Sequence, residues 1–330
     1  MPKKRILYAI QGTGNGHVAR AREIVPILQK YGALDLLLSG DQSEVALDQP
    51  IRYQLKGFTF LYNRKGGISY WRTLWKNNFF KLWKDIRSLP VHEYDLVIND
   101  FEFTSAWACK LRKQKCYALG HQAAFRSSKV PRPNKKSWLG EFILQWYAPA
   151  QQGIGFHFDH FDHFVFPPVI RAEVRSLAIT EGGHYTVYLP AYGDEELVMQ
   201  LEKYPDIHWQ VFSKFAKTER QIGSIKIAPI NNAAFLQSLS SCQGLLTSAG
   251  FEGPAEALFL GKKLCVIPIK GQYEQSCNAA GLAALGIPVL QKLSDENLEQ
   301  WLECSAPVSM HFPDQTEALI QQYLLRPAGF

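Results

Sequence analysis

Apolar residues along this chain fall into two alternating kinds of run. Residues 6–10, 96–98, 117–119, 245–247 and 264–269 are short and apolar without polar interruption, the pattern of strands buried on both faces of a parallel sheet. Further strands are expected near 185–190, 209–212 and 225–228. Between them lie stretches with helical period. VARAREIVPILQKYG repeats at Val18, Ala21, Val25 and Leu28. Residues 68–90 place Trp71, Leu74, Trp75, Leu82, Trp83 and Ile86 on one stripe, expected to pack on the first sheet, with Arg72, Lys76, Lys84 and Arg87 outside it. Trp138, Phe142 and Trp146 mark a third helix face. Strand and helix alternate throughout, which predicts an α/β fold of parallel sheets. Pro167-Pro168 interrupts the alternation and divides the chain into two expected domains, 1–168 and 169–330, with the amphipathic stretch 317–325 returning to the first.

The most informative unit is residues 242–282, read as strand, glycine turn, helix, strand, loop, helix. Gly250 and Gly253 punctuate the turn, Pro254 suits a first helical turn and Gly261 suits the end. Parallel strands bring their carboxyl-end loops, 248–253 and 270–275, to one sheet edge, where ligands bind. The first loop enters a helix whose unpaired N–H groups and dipole favour an anion such as a diphosphate. Glu256 is placed to accept hydrogen bonds from a vicinal diol such as a ribose, and Glu274, Gln275 and Asn278 offer groups that read sugar hydroxyls. By spacing alone the glycines serve equally well as plain turn formers.

The order Ser248, Gly250, Glu256, then Glu274, Gln275, Asn278 and Ala279, resembles the donor signature of nucleotide-sugar glycosyltransferases. It is similar to the UDP-glucuronosyltransferase superfamily and to the bacterial N-acetylglucosaminyltransferase that builds lipid-linked peptidoglycan precursor. The resemblance implies two Rossmann-like domains facing each other across a cleft, the glycosyltransferase B (GT-B) architecture, with the acceptor domain first and the donor domain second. Phe251 and Glu252 complete the implied donor turn. Ser248 stands where many UDP-glycosyltransferases carry a histidine, which puts the phosphate contact and donor preference at issue.

Near the start, QGTGNGH follows the first strand. Its glycines at 12, 14 and 16 do not have the G-x-G-x-x-G spacing of a dinucleotide site. In the same glycosyltransferases a glycine-rich loop ending in histidine occupies this place, so the resemblance implies His17 as general base, with Gly14, Asn15 and Gly16 beside the acceptor. DLVIND then delivers Asp100 to the same edge, where an aspartate can hold and stabilise the imidazole. Asp100-Phe101-Glu102 is alternatively a metal-binding DxD-like motif. His121 and Gln122, after the strand at 117–119, are expected to contact the acceptor, with a structural His121 the competing reading. His157, His160 and His163 with Asp159 and Asp162 invite a zinc reading, but their spacing fits no familiar site and their alternation with aromatics fits a strand ending at a linker. No cofactor or metal is expected, since helix dipoles can meet the leaving group's charge.

The chain is 46% hydrophobic, enough for two cores, yet no apolar run approaches the roughly 20 residues that span a bilayer. The apolar segment after MPKKR is too short for a signal peptide. Six scattered cysteines without a CxxC pair fit reduced thiols and a cytoplasmic protein. Charge changes the picture more. Residues 1–168 hold 24 Lys and Arg against 13 Asp and Glu, a balance of +11, whereas the remainder holds 12 against 17. With Arg126, Lys129, Arg132, Lys135 and Lys136 just before Trp138, this favours an anionic partner, either a lipid-linked acceptor or an anionic membrane surface contacted peripherally, over nucleic acid, for which no motif is present. The alternative is that these aromatics pack in the first core. The resulting expectation is an inverting transfer from a UDP- or dTDP-sugar to an acceptor hydroxyl. A sugar-nucleotide epimerase of related fold and a non-catalytic sugar-nucleotide sensor are the alternatives. An NAD-dependent oxidoreductase is disfavoured by the loop spacing.

Overall fold

The structure is a computed structural model that describes residues 4–12, 15–40, 47, 49–58, 77–294 and 296–325. The chain divides into two compact units. Unit 1 comprises Met1–Val130, Lys136–Arg171 and Pro313–Phe330; unit 2 comprises Pro131–Lys135 and Ala172–Phe312.

In unit 1, β1 (Lys4–Gln11), α1 (Asn15–Gln29), β2 (Gly32–Ser39), β3 (Tyr53–Leu55), α2 (Phe79–Ser88), β4 (Leu96–Asp100), α3 (Phe103–Arg112), β5 (Cys116–Gly120), α4 (His121–Ala124), α5 (Trp138–Trp146), β6 (Gln152–Phe156) and β7 (Val165–Phe166) follow one another. The strands form one sheet in the order β3-β2-β1-β4-β5-β6-β7, and every pairing is parallel. Central β1 is buried from Ile6 through Gln11 and β4 along its whole length, which is why both read as unbroken apolar runs. Successive strands move one way from β1 to β2 and the other way from β4 to β5. The gap between β1 and β4 is therefore the switch point, where crossovers leave a crevice at the carboxyl ends.

Two sequence expectations need correction here. The stretch 68–90 is not one helix: the described part begins at Phe79, where the Asn78 side chain accepts from the Lys81 amide at 2.9 Å. Residues 68–76, with Trp71, Arg72, Leu74, Trp75 and Lys76, lie outside the described residues. Leu82 and Ile86, four apart, define the buried stripe of α2, and Trp83 falls off it into solvent. The segment 152–166 is likewise two strands, β6 and β7, joined by a turn rather than one strand with alternating aromatics.

Unit 2 continues with α6 (Ala172–Arg175), β8 (His184–Tyr188), α7 (Asp194–Leu201), β9 (His208–Ser213), β10 (Arg220–Ile222), β11 (Ile225–Pro229), α8 (Asn232–Ser241), β12 (Gly244–Ser248), α9 (Glu252–Phe259), β13 (Lys263–Ile267), α10 (Tyr273–Ala284) and α11 (Asn297–Cys304). Its sheet runs β10-β11-β9-β8-β12-β13, parallel apart from the β10–β11 edge pair. The switch point lies between β8 and β12. One core cluster gathers Val187, Trp209, Val211, Ile225, Leu246 and Trp301. The last helix, α12 (Thr316–Ile320), belongs to unit 1, where Glu317 accepts from Lys30 and from the Tyr31 hydroxyl, each at 2.6 Å. No described helix is long and apolar enough to cross a membrane.

Candidate functional site

At the switch point of unit 1, α1 presents His17 in its first turn and β4 ends on Asp100. Asp100 is fully buried, and its Oδ1 lies 2.8 Å from His17 Nδ1. Arg20, three residues after His17 and so on the same helix face, completes the arrangement. It is 3% exposed, and its Nη2 reaches both carboxylate oxygens, at 2.8 and 2.9 Å, with Nε at 3.1 Å from Oδ2. The Tyr8 hydroxyl lies 3.4 Å from Oδ2.

Burial alone pushes the Asp100 carboxyl upward, but the Arg20 and His17 charges and hydrogen bonds outweigh it and hold the group below its ordinary value. Asp100 is therefore an anion, and an anion at 2.8 Å selects the tautomer with the proton on Nδ1. Arg20 Nη2 also stands 3.1 Å from Nδ1, but a guanidinium only donates, so its bonds go to the carboxylate. His17 Nε2 is left with its lone pair, 3.5 Å from Gln122 Nε2. The arrangement can take up a proton at Nε2 and stabilise the imidazolium through Asp100.

The surrounding turns are shaped around this carboxylate. A Cβ on Gly120 would lie 2.4 Å from Asp100 Oδ1 and 3.3 Å from Arg20 Nη2, so β5 must end on glycine. Phe101 takes a left-handed φ of 54°, uncommon for a non-glycine residue, to turn the chain from β4 into α3. Glu102 then caps α3. Its carboxylate accepts from the Thr104 and Ser105 amides at 2.7 and 2.6 Å and from Ser39 Oγ at 2.6 Å. The acidic pair flanking Phe101 is thus divided between two roles, Glu102 capping α3 and Asp100 pairing with His17 and Arg20.

Of the other residues expected in unit 1, Gly14 lies outside the described residues, while Asn15 and Gly16 open α1 immediately before His17. Gln122 is buried at the site and lines a small cleft with Phe101, Gly120, Arg126 and Leu144. His121 is not directed there. It is buried, with its Nδ1–H donating to the Phe156 carbonyl at 2.8 Å and its ring against Phe125 and His157, so the structural reading fits it better. His157 is equally buried, while His160 and His163 are exposed. Asp162 accepts from Ser127 and Lys129, and among the described residues no group of three or more His, Cys, Asp or Glu could hold a metal.

In unit 2 the turn from β12 into α9 carries Ser248, Gly250, Phe251 and Glu252. A Cβ added at Gly250 or Gly253 would meet nothing within 4 Å, and Phe251 supplies no side-chain cap. The turn thus presents backbone to open space at a helix N-terminus. Asn278, fully buried on α10, donates to the Ala249 carbonyl at 3.1 Å and ties that helix to the turn. Gln275 bonds within its own loop, Oε1 accepting from the Ile269 amide at 2.9 Å and Nε2 donating to Gln272 Oε1 at 3.0 Å. Asn278 thus braces the turn, and Gln275 braces the segment that leads into α10. Glu256 is buried one helical turn into α9, and Glu274 is half-buried at the start of α10.

The sequence profile of glycosyl transferase family 1 matches residues 4–305. No curated protein sequence matches the chain. Similar solved structures include the glycosyltransferase SnogD from Streptomyces nogalater (14% identity, 91% of each chain covered, TM-score 0.53). Arabidopsis thaliana UGT89C1 complexed with quercetin is another (10% identity, 92% of this chain and 91% of that one, TM-score 0.59). The spinosyn rhamnosyltransferase SpnG is a third (14% identity, 90% and 89%, TM-score 0.55). These likenesses establish the fold as GT-B, and the profile spans nearly the whole chain. The chain belongs to glycosyl transferase family 1 and is a glycosyltransferase.

Proposed function

We propose that the protein transfers a sugar from a nucleotide-diphosphate donor, UDP or dTDP, to an acceptor hydroxyl with inversion at the anomeric carbon. The observation that carries the reading is the His17–Asp100 contact of 2.8 Å at the switch point of unit 1. His17 Nε2 removes the acceptor's proton while the acceptor oxygen bonds to the anomeric carbon. The bond from that carbon to the diphosphate breaks on the opposite face, its electron pair leaving with the phosphate oxygen. Asp100 steadies the imidazolium, as in other base-and-orienter pairs.

Residues 1–168 form the acceptor domain in this reading and 169–330, apart from the C-terminal helix that returns to unit 1, the donor domain. The open turn Ser248 to Gly253 receives the diphosphate against the α9 N-terminus, and Glu256 accepts from the ribose diol. The structurally similar UGT89C1 has been seen complexed with UDP and with quercetin, which supports a UDP donor and a hydroxyl acceptor here. The basic first half of the chain supports a lipid-linked acceptor at the cytoplasmic face of a membrane.

The test pairs binding with turnover. UDP at about 100 times its dissociation constant should stabilise the protein by about 2.7 kcal/mol. His17→Ala should keep that shift and lower transfer by about 10²- to 10⁴-fold. Transfer within a few-fold of wild type would remove His17 as the base, and complete, magnesium-reversible loss in chelator would restore a metal mechanism. Donor binding without turnover on any acceptor would favour the sensor.

A further inference from the structure

One helical layer of unit 1 carries large apolar side chains that its core does not take. On α2, Phe79, Phe80 and Trp83 are 47%, 92% and 51% exposed; on α5, Trp138, Phe142 and Trp146 are 81%, 57% and 50% exposed. The α5 residues are spaced by four, so they form one outward stripe opposite buried Gly140 and Leu144. The two helices are continuous through α3. Arg112 donates to the Ile86 and Arg87 carbonyls of α2. Trp107 Nε1 donates to the Tyr147 carbonyl, just past α5, at 3.2 Å. Lys110 sits 4.6 and 5.4 Å from the Trp107 and Trp146 ring centroids. Lys81, Lys84, Arg87, Lys110, Lys113 and Lys136 are all exposed around the aromatics, while Asp85 and Glu141 are the acidic residues of these helices.

We propose that this face of unit 1 docks on an anionic lipid surface. Lysine is depleted from the centres of protein–protein interfaces, where its ammonium would lose water. Here lysines and arginine interleave with tryptophan and phenylalanine, which is the mixture that an interfacial bilayer zone accommodates: rings at headgroup depth, ammonium groups at phosphates. The excess of basic over acidic groups selects anionic headgroups. Leu144 of α5 also lines the cleft beside Gln122, so the docked helix borders the candidate acceptor side. Docking itself does not depend on the transfer reaction.

The experiment is sedimentation of the full chain with phosphatidylcholine vesicles, with and without phosphatidylglycerol, at low and raised salt. The protein should pellet with the anionic vesicles and be released by salt. Each basic residue at such a surface is worth about fivefold in partition, so Lys81→Glu/Lys84→Glu should weaken it by more than about tenfold. Phe80→Ser/Trp138→Ser should weaken it comparably. Both pairs should retain the wild-type thermal midpoint, because these side chains meet solvent. The proposal is overturned if wild type stays in the supernatant with anionic vesicles at low salt, or if neither pair alters pelleting. It is also overturned if wild type is a dimer by sedimentation velocity that Phe80→Ser/Trp138→Ser dissociates, since the face would then receive a second copy.

Discussion

Asp100 keeps a negative charge where no water reaches it, and Arg20 is the reason it can. A buried ion pair that loses one partner typically costs about 3–5 kcal/mol, because the survivor stays charged and unpaired. Asp100→Asn should therefore destabilise by that order in urea unfolding as well as remove transfer. Asp100→Asn/Arg20→Met should recover much of the stability and none of the activity; recovery of both would mean that Asp100 serves the fold alone. The depressed carboxyl also fixes a pH dependence. Its folded pKa lies below the unfolded value of about 3.9, so its contribution is present above about pH 4 and is lost as pH falls towards the folded value. Unfolding free energy measured downward from pH 5 should show this limb, and Asp100→Asn should flatten it. Gly120→Ala tests the geometry separately, because the methyl takes the space of Oδ1. We expect transfer to fall at least tenfold with native circular dichroism, and unchanged kinetics would show that the carboxylate has room to move. Asp100 was legible as a candidate because it ends a buried strand at an edge where ligands bind, and His17 because its glycine-rich loop resembles that of the glycosyltransferases. Arg20 was not, since a basic residue on an amphipathic helix reads as solvated; its position three residues after His17 was the available signal. For His121 the sequence leaves both readings open, because nothing local distinguishes a histidine at a strand end that turns outward from one that donates to a neighbouring strand.

Elements were read most securely where burial is two-sided. β1, β4 and β12 each have a strand on both sides, and their sequences contain few polar residues to confuse the period. Helices were harder, because the sequence shows that a stripe exists but not which side the sheet occupies; on α5 the aromatic stripe faces outward and the small and leucine positions face in. The edge strand β10, three residues long and antiparallel, carries no such run and was not expected. Turns between elements permit sharper tests. Gly250 and Gly253 face open space, so their lack of a side chain does nothing for packing in the unliganded protein. Gly250→Val should leave the thermal midpoint within about a degree or two, as surface substitutions usually do, while weakening UDP binding at least tenfold in calorimetry. Undiminished affinity would place the diphosphate elsewhere. Glu102 is the contrasting case, an element end sealed by its own side chain. Glu102→Ala strands two amides and the Ser39 hydroxyl in a buried site, and each unsatisfied group costs about 1–3 kcal/mol. Glu102→Gln retains acceptor capacity and should recover part of that loss in urea unfolding.

At the scale of the whole chain, the order of residues and the order of folding units differ. Residues 172–312 make up most of unit 2, yet the chain afterwards re-enters unit 1, where Leu319, Ile320 and Leu324 are buried. Tyr323 lies against Phe166 at 5.3 Å between ring centroids, and Lys4 Nζ donates to the Leu325 carbonyl at 3.2 Å. Each buried aliphatic side chain contributes roughly 1.5–3 kcal/mol before the entropy of ordering the segment is subtracted. Exposed pairs such as Lys30–Glu317 add little to stability, so they serve mainly to fix register. Deleting residues 313–330 should therefore loosen a unit that the deletion does not adjoin in sequence through β8 to β13. Hydrogen exchange should show lost protection along α1, β1 and β6, with protection in β8, β12 and β13 retained. UDP should still protect residues 248–256 in the truncated protein, because the turn proposed to receive the donor and its Asn278 brace lie wholly in unit 2. Lost protection confined to unit 2, with unit 1 intact, would mean that the final helix stabilises the domain it follows rather than the one it returns to.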